Sequence, residues 1–236
     1  MAAPSLDIWL YDELIARVTE RRTGTFQLRY TDKALEQWPL GRPRLSVSMP
    51  LVPSPYPPGV VGPFLEGLLP EGEARVVLEE RYGIRRGDVA GLLAEIGRDC
   101  AGAVVVLPAG HTPPQEPPEG AEATRPIDDG ALAAALRDLP DRPLGDDDEV
   151  RVSLAGQQSK LLLARGVDGR WLRPLAGTPS THILKPADQR YPDVAANEVL
   201  CLRLARELGL TEVDAELLEV AGIPVVVVSR YDRRVG

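Results

Sequence analysis

Two lysines and one glutamate in the second half of the chain stand where they could handle a phosphate. Lysine occurs only at positions 33, 160 and 185 of the 236 residues, so Lys160 and Lys185 are easily weighed. Lys185 closes the stretch THILKP (181–186), and Glu198 lies within VAANEVLCLRLAREL (194–208). The first stretch has the length of a strand, the second the three-to-four-residue apolar repeat of a helix. One strand end, one loop and the first part of a helix separate the two residues, a spacing that suits a strand-to-helix ion pair. Upstream, Ala155-Gly156-Gln157-Gln158-Ser159-Lys160 forms a small-residue loop between VRVSL and LLLAR. Phosphoryl transfer from ATP uses these three parts: a loop over the phosphates, a strand lysine that holds them and a helix glutamate that orients the lysine.

Each part also has a plain structural meaning. AGQQSK lacks the full Walker pattern and reads equally as an ordinary hairpin turn. Lys185, just before Pro186, could simply lay its stem along apolar surface. Glu198, near a helix start, gains from the helix dipole wherever it points. What favours a nucleotide site is the order of elements. VRVSLAG, KLLLAR, RWLRP and THILKP read as successive strands, followed by the helix and then by AELLEV and IPVVVVSRY paired across Ala221-Gly222. That is the order of the small lobe of a protein-kinase-like fold. The helix is expected to set Leu200, Cys201, Leu204 and Leu208 on one face, with Gly209 as its terminator.

The first half has a different texture. DIWLY and LIARV flank Asp12-Glu13 as a hairpin, and TFQLRY (25–30) and LSVSM (45–49) continue as strands. VPSPYPP (52–58) is expected to be extended or looped, because proline denies helix and central-strand hydrogen bonds. From Pro63 onward PFLEGLL, EARVVLEERYG and DVAGLLAEIG read as helices, and AGAVVVLP (101–108) returns to strand. PAGHTPPQEPPEGAEATRPI (108–127) has linker composition, and DDGALAAALRDL follows as a short helix capped by Asp128 or Asp129. The acidic run 140–149 reads as a solvated loop. The fold class is therefore α+β: a subdomain over 1–108, a linker with a short helix over 109–149, and an ATP-binding small lobe over 150–236.

Composition narrows the function. With 44% hydrophobic and 26% charged residues the chain can bury a core. A net charge of −8 argues against a reader of duplex DNA, and 5% aromatic residues leave few stacking platforms for single strands. Two cysteines and two histidines, His111 and His182, exclude a disulfide framework and a histidine-rich metal centre. No targeting signal or membrane-length apolar run is seen, so a cytoplasmic location is expected. No Gly-x-Ser-x-Gly elbow supports a hydrolase.

RVSLAGQQSKLLLA, TPSTHILKP, NEVLCLRLARELGL and SRYDRR, taken in order, resemble the HipA family of serine/threonine kinases, toxins of bacterial toxin–antitoxin modules. FLEGLLPEGEARVVLEERYG and DVAGLLAEIGRDCAGAVVVLP resemble that family's N-terminal subdomain. The resemblance covers nearly the whole chain, the linker aside. It implies that Ala155, Gly156, Gln157, Gln158, Ser159 and Lys160 form the phosphate loop, that Lys185 binds phosphate and that Glu198 is its partner. Ser229, Arg230 and Tyr231 would be the hinge whose backbone receives adenine. Ser153 would be the serine that the family autophosphorylates. Ser159 departs from the family, which often has an acid there. The resemblance further implies ATP with Mg2+, a HipB-like antitoxin as partner, and a protein substrate of the aminoacyl-tRNA synthetase class. DNA contact in the family comes mainly through the antitoxin, so none is expected directly from this chain.

The family's catalytic aspartate and its magnesium-binding asparagine and aspartate are expected beyond residue 236. The 236 residues are thus expected to be the N-terminal part of a kinase, inactive alone, with an exposed apolar edge near 225–236. The competing expectation is a naturally short, non-catalytic module that engages an antitoxin or a separate kinase subunit.

Overall fold

A computed structural model describes residues 5–22, 24–113, 124–145, 153–175, 178–188, 190–191 and 193–233. Internal contacts divide these residues into two units, one comprising the residues up to 113 together with 153–157, the other 124–145 and 158 onward.

The first unit is built on four antiparallel strands: β1 (Ser5–Leu10), β2 (Glu13–Arg22), β3 (Thr25–Tyr30) and β6 (Val104–Pro108), in the order β3-β2-β1-β6. Between β3 and β6 come α1 (Asp32–Gln37), β4 (Pro43–Ser46), β5 (Met49–Pro50), α2 (Pro58–Glu66), α3 (Gly72–Arg81) and α4 (Val89–Ile96). Leu6, Ile8 and Leu10 alternate inward along β1 and meet Leu65 of α2 and Leu92, Leu93 and Ile96 of α4 in one buried core. Asp88 caps α4, its carboxylate accepting the Gly91 N–H at 2.8 Å.

Two expectations change here. LSVSM is not one strand: Val47 and Ser48 form the turn of the short β4–β5 hairpin, with Val47 88% exposed. The helix read from Pro63 begins instead at Pro58. A proline in the first helical position lacks only an N–H that has no intrahelical acceptor there, so the proline run forbids a helix interior but not a helix start.

The second unit contains β7 (Thr124–Pro126), α5 (Asp129–Arg137), β8 (Leu161–Arg165), β9 (Trp171–Pro174), β10 (His182–Pro186), α6 (Val194–Glu207), β11 (Ala215–Val220) and β12 (Ile223–Ser229). Its antiparallel sheet runs β11-β12-β10-β8-β9-β7. Leu132 and Leu136 of α5 pack on Leu161, Leu163, Leu184, Val225 and Val227, whereas Ala195 and Val199 of α6 pack on Val226. Helices therefore cover both faces of β12, which explains its unbroken valine run. Ala221 and Gly222, with φ of 50° and 79°, make the two-residue turn into β12.

Three further expectations change. Thr124–Pro126, read as linker, pairs with β9 as an edge strand, where a proline is tolerated. Of VRVSLAG, the described residues 153–156 form no strand. On α6, the leucine face points outward: Leu200, Leu204 and Leu208 are exposed, as is Cys201, while the small residues Ala195 and Val199 let the helix lie close on the sheet. No helix among the described residues is long and apolar enough to cross a membrane.

Candidate functional site

Side-chain alternation along β10 decides where Lys185 points. Leu184 is buried on the α5 side, so Lys185, register partner of Val226, stands on the α6 side. Ala195 and Val199 seat α6 against that face, which leaves Glu198 at the helix border facing the strand end. The Lys185 Nζ donates to Glu198 Oε1 at 2.5 Å, with both side chains about four-fifths covered, at 22% and 23% exposure. An ammonium has three N–H donors, so one spent on Glu198 orients the group without exhausting it. Lys160 is also buried and directly precedes Leu161, the register partner of Leu184, so it enters β8 at the level of Lys185.

The expected loop is divided between the two units, its first part up to Gln157 belonging to the first. Ser153 is fully buried, its N–H donating to Asp99 O at 3.0 Å and its hydroxyl to Leu68 O at 2.6 Å. Gly156 bridges to Pro70 with φ of 112°, a conformation that essentially only glycine adopts. Ala155 is half-buried, and Gln157, Gln158 and Ser159 are exposed. Ser153–Gln157 group with the first unit and Gln158–Lys160 with the second. The structure thus brings Lys185 and Glu198 together within the second unit.

At the expected hinge, the Ser229 N–H is engaged by Asp214 O at 3.0 Å and the Arg230 N–H by Thr181 O at 2.9 Å. Tyr231 is 82% exposed, whereas Val225, Val226 and Val227 are buried, so among the described residues of the apolar edge expected near 225–236 Tyr231 is the large exposed side chain. The larger exposed apolar surface is the leucine face of α6. The Arg230 side chain turns inward and grips Asp232 through Nε and Nη2 at 3.0 and 2.9 Å, and Ser180 Oγ through Nη1 at 2.8 Å. Asp232 and Ser180 were not anticipated. The visible signal was the run SRYDRR, in which an arginine and an aspartate bracket the tyrosine.

On the opposite face of the sheet, His182 Nδ1 lies 2.8 Å from Thr181 Oγ1 and Nε2 lies 3.3 Å from Ser229 Oγ, with the ring edge-on to Trp171. Arg165 stacks over Trp171 and pairs with Glu216 at 2.8 Å. Burial first, then the Arg165 charge, hold the imidazole below its usual 6.5, against the weaker pull of Glu216 and Asp214. In the pH range below 6.5 the unfolded chain then binds more protons than the folded one, so stability rises with pH there. The contribution is complete above about 6.5 and is lost as pH falls through that value towards the folded one. Denaturant unfolding at pH 7.5 and 5.5 should show this loss, and His182→Gln should flatten it; an equal loss in the variant would assign the effect to other groups.

Comparison with known proteins adds to this geometry. A family model described as the HipA N-terminal domain matches residues 6–107, and one described as the HipA-like C-terminal domain matches 152–236. A putative kinase of Sinorhizobium fredii is 34% identical over 234 residues, covering 99% of this chain and 55% of the relative. A serine/threonine-protein kinase toxin HipA of Shewanella oneidensis is 30% identical over 233 residues, covering 98% of this chain and 50% of the relative. The solved complex of Shewanella oneidensis HipA, HipB and operator DNA contains a chain that superposes with a TM-score of 0.76 at 28% identity, over 98% of this chain and 51% of that one. The chain spans about half the length of these relatives.

Proposed function

The chain belongs to the HipA family, and from that premise we propose that it carries the ATP-binding part of a serine/threonine protein kinase toxin. The observation that carries this reading is the Lys185–Glu198 ion pair, formed between a strand and the helix that follows it. Lys185 would hold the phosphates and Glu198 would orient it. Ala155, Gly156, Gln157, Gln158, Ser159 and Lys160 would cover the phosphates, and the hinge Ser229, Arg230 and Tyr231 would receive adenine. The domains would be a subdomain over 1–108, a linker region over 109–149 and the nucleotide lobe over 150–236, with Ser153–Gln157 lodged on the subdomain.

Magnesium would neutralise charge on the transferring phosphate. Among the described residues no cluster of three or more His, Cys, Asp or Glu side chains could hold a metal, so no step is assigned to it. The groups that bind metal and accept the substrate proton belong, in this reading, to a catalytic half of the kinase outside these residues. The proposed substrate is a protein of the aminoacyl-tRNA synthetase class and the proposed partner a HipB-like antitoxin. Ser153 would be the autophosphorylated residue, and its hydroxyl would have to leave Leu68 O to meet a γ-phosphate.

The test is radiolabelled ATP with the 236-residue chain and, beside it, the chain joined to a HipA-type catalytic half. We expect label transfer only from the longer protein. Ser153→Ala in it should remove label from the loop and leave transfer to the substrate intact. Transfer by the short chain would overturn the proposed division of labour. A second reading, a non-catalytic module that engages an antitoxin or a separate kinase subunit, draws on the exposed leucine face of α6. Tight antitoxin binding by a chain with no affinity for ATP would favour it.

A further inference from the structure

Residues 230–233 form a turn that leaves the end of β12, closed by the Arg233 N–H on Arg230 O at 3.4 Å, a long and weak bond. Its side chains hold it far more firmly than its backbone. Arg230 grips both carboxylate oxygens of Asp232 in a fork, and Arg233 Nη1 reaches the Asp232 carbonyl at 3.0 Å and its carboxylate at 3.2 Å. All three charged side chains are at least nine-tenths buried, the Arg230 side chain being 1% exposed. Arg230 also ties the turn to the entry of β10, through Ser180 Oγ on its side chain and Thr181 O on its N–H.

Burying such ions costs several kcal/mol each before their attraction is counted. A solvent-facing turn has no need of that arrangement for its own sake. What the arrangement achieves is geometric: a planar guanidinium on a carboxylate two residues away admits one conformation of the residue between them. That residue is Tyr231, the exposed tip of the turn. The N–H groups of Ser229 and Arg230 are committed, and among the described residues the Tyr231 N–H has no acceptor. A fixed backbone donor beside an exposed aromatic ring is suited to the edge and face of a purine.

We propose that Arg230 and Asp232 are positioning residues for adenine: their buried fork clamps the turn so that the Tyr231 N–H is held out to the base. This rests on the nucleotide reading given above and assigns the two side chains a part distinct from phosphate binding. The clamp acts on the base end of the ligand, Lys185 on the phosphate end.

The test compares ATP with inorganic tripolyphosphate, which has the phosphates but no base, by calorimetric titration of the 236-residue protein in magnesium buffer. Wild type should prefer ATP. Arg230→Lys and Asp232→Asn should weaken ATP about tenfold or more while leaving tripolyphosphate unchanged, which erases the preference. Lys185→Ala should weaken both ligands and keep the preference. Variants that retain the wild-type preference would overturn the clamp, and so would variants that weaken both ligands equally, the mark of a merely structural role. Should Asp232→Asn fail to fold by circular dichroism, Arg230→Lys, which keeps the charge and loses only the fork, decides alone. Wild type that binds tripolyphosphate and ATP equally would also refute the clamp, whereas wild type that binds neither would refute the nucleotide reading itself.

Discussion

Lys185→Ala, made in the chain joined to a HipA-type catalytic half, is expected to lower phosphotransfer about a hundred- to a thousandfold, the usual loss when one aimed donor is removed from developing charge. The substitution takes away the ammonium proposed to meet the phosphates and leaves the Glu198 carboxylate, four-fifths covered, without its cation. Glu198→Gln should cost less, because the amide oxygen can still accept from Lys185 and only the charge is lost. Initial rates across a range of ATP concentrations will separate the two effects. Loss of a group that acts on the transferring phosphate lowers kcat, whereas loss of ground-state grip alone raises KM. Full activity in Lys185→Ala would remove the pair from the mechanism.

The second large effect concerns the first unit and not the chemistry. Gly97→Ala is expected to destabilise that unit by about 3 kcal/mol, in the upper range for overpacking. Gly97 has an ordinary φ of −75°, so conformation is no obstacle to a side chain. Space is the obstacle. A Cβ there would lie 2.5 Å from Leu93 O, 2.6 Å from Val106 O and 2.9 Å from Val106 Cβ. The two oxygens belong to the backbones of α4 and β6 and cannot rotate away. The Val106 N–H donates to Gly97 O at 2.7 Å, so parting the helix from the strand also breaks a buried bond. A fall in melting temperature of roughly 12–24 °C is expected for a unit of this size. Gly62→Ala is the control: it lies inside α2 with nothing within 4 Å of its would-be Cβ, and alanine there should be neutral or stabilising. Similar melting temperatures for the Gly97 variant and wild type would show that α4 and β6 can part without cost.

Much of the second unit was legible in the sequence because its signals are local. Strands β8 to β12, helix α6 and the Ala221-Gly222 turn follow from alternation, helical period and turn chemistry over short windows. The Lys185–Glu198 contact was legible for the same reason, since one strand, one loop and one helix carry residues only 13 positions apart. The Asp128 cap of α5 was likewise a local signal, its carboxylate accepting the Ala131 N–H at 2.8 Å.

Tertiary structure decided what depends on distant partners. The strand expected over VRVSLAG gives way at Ser153–Gly156, where hydrogen bonds go to Asp99, Leu68 and Pro70 instead of a neighbouring strand. Ser153 and Leu68 are 85 residues apart, beyond the reach of any local pattern. Thr124–Pro126 became a strand only because β9 offered an open edge. The inward face of α6 was chosen by the sheet: Val226 and its neighbours leave room for alanine and valine, so the helix turns its leucines outward against the expectation of its hydrophobic period. The inward turn of Arg230 belongs with these. Sequence places an arginine beside a tyrosine and an aspartate, but only the buried pocket formed with Ser180 gives its charge a reason to face the interior.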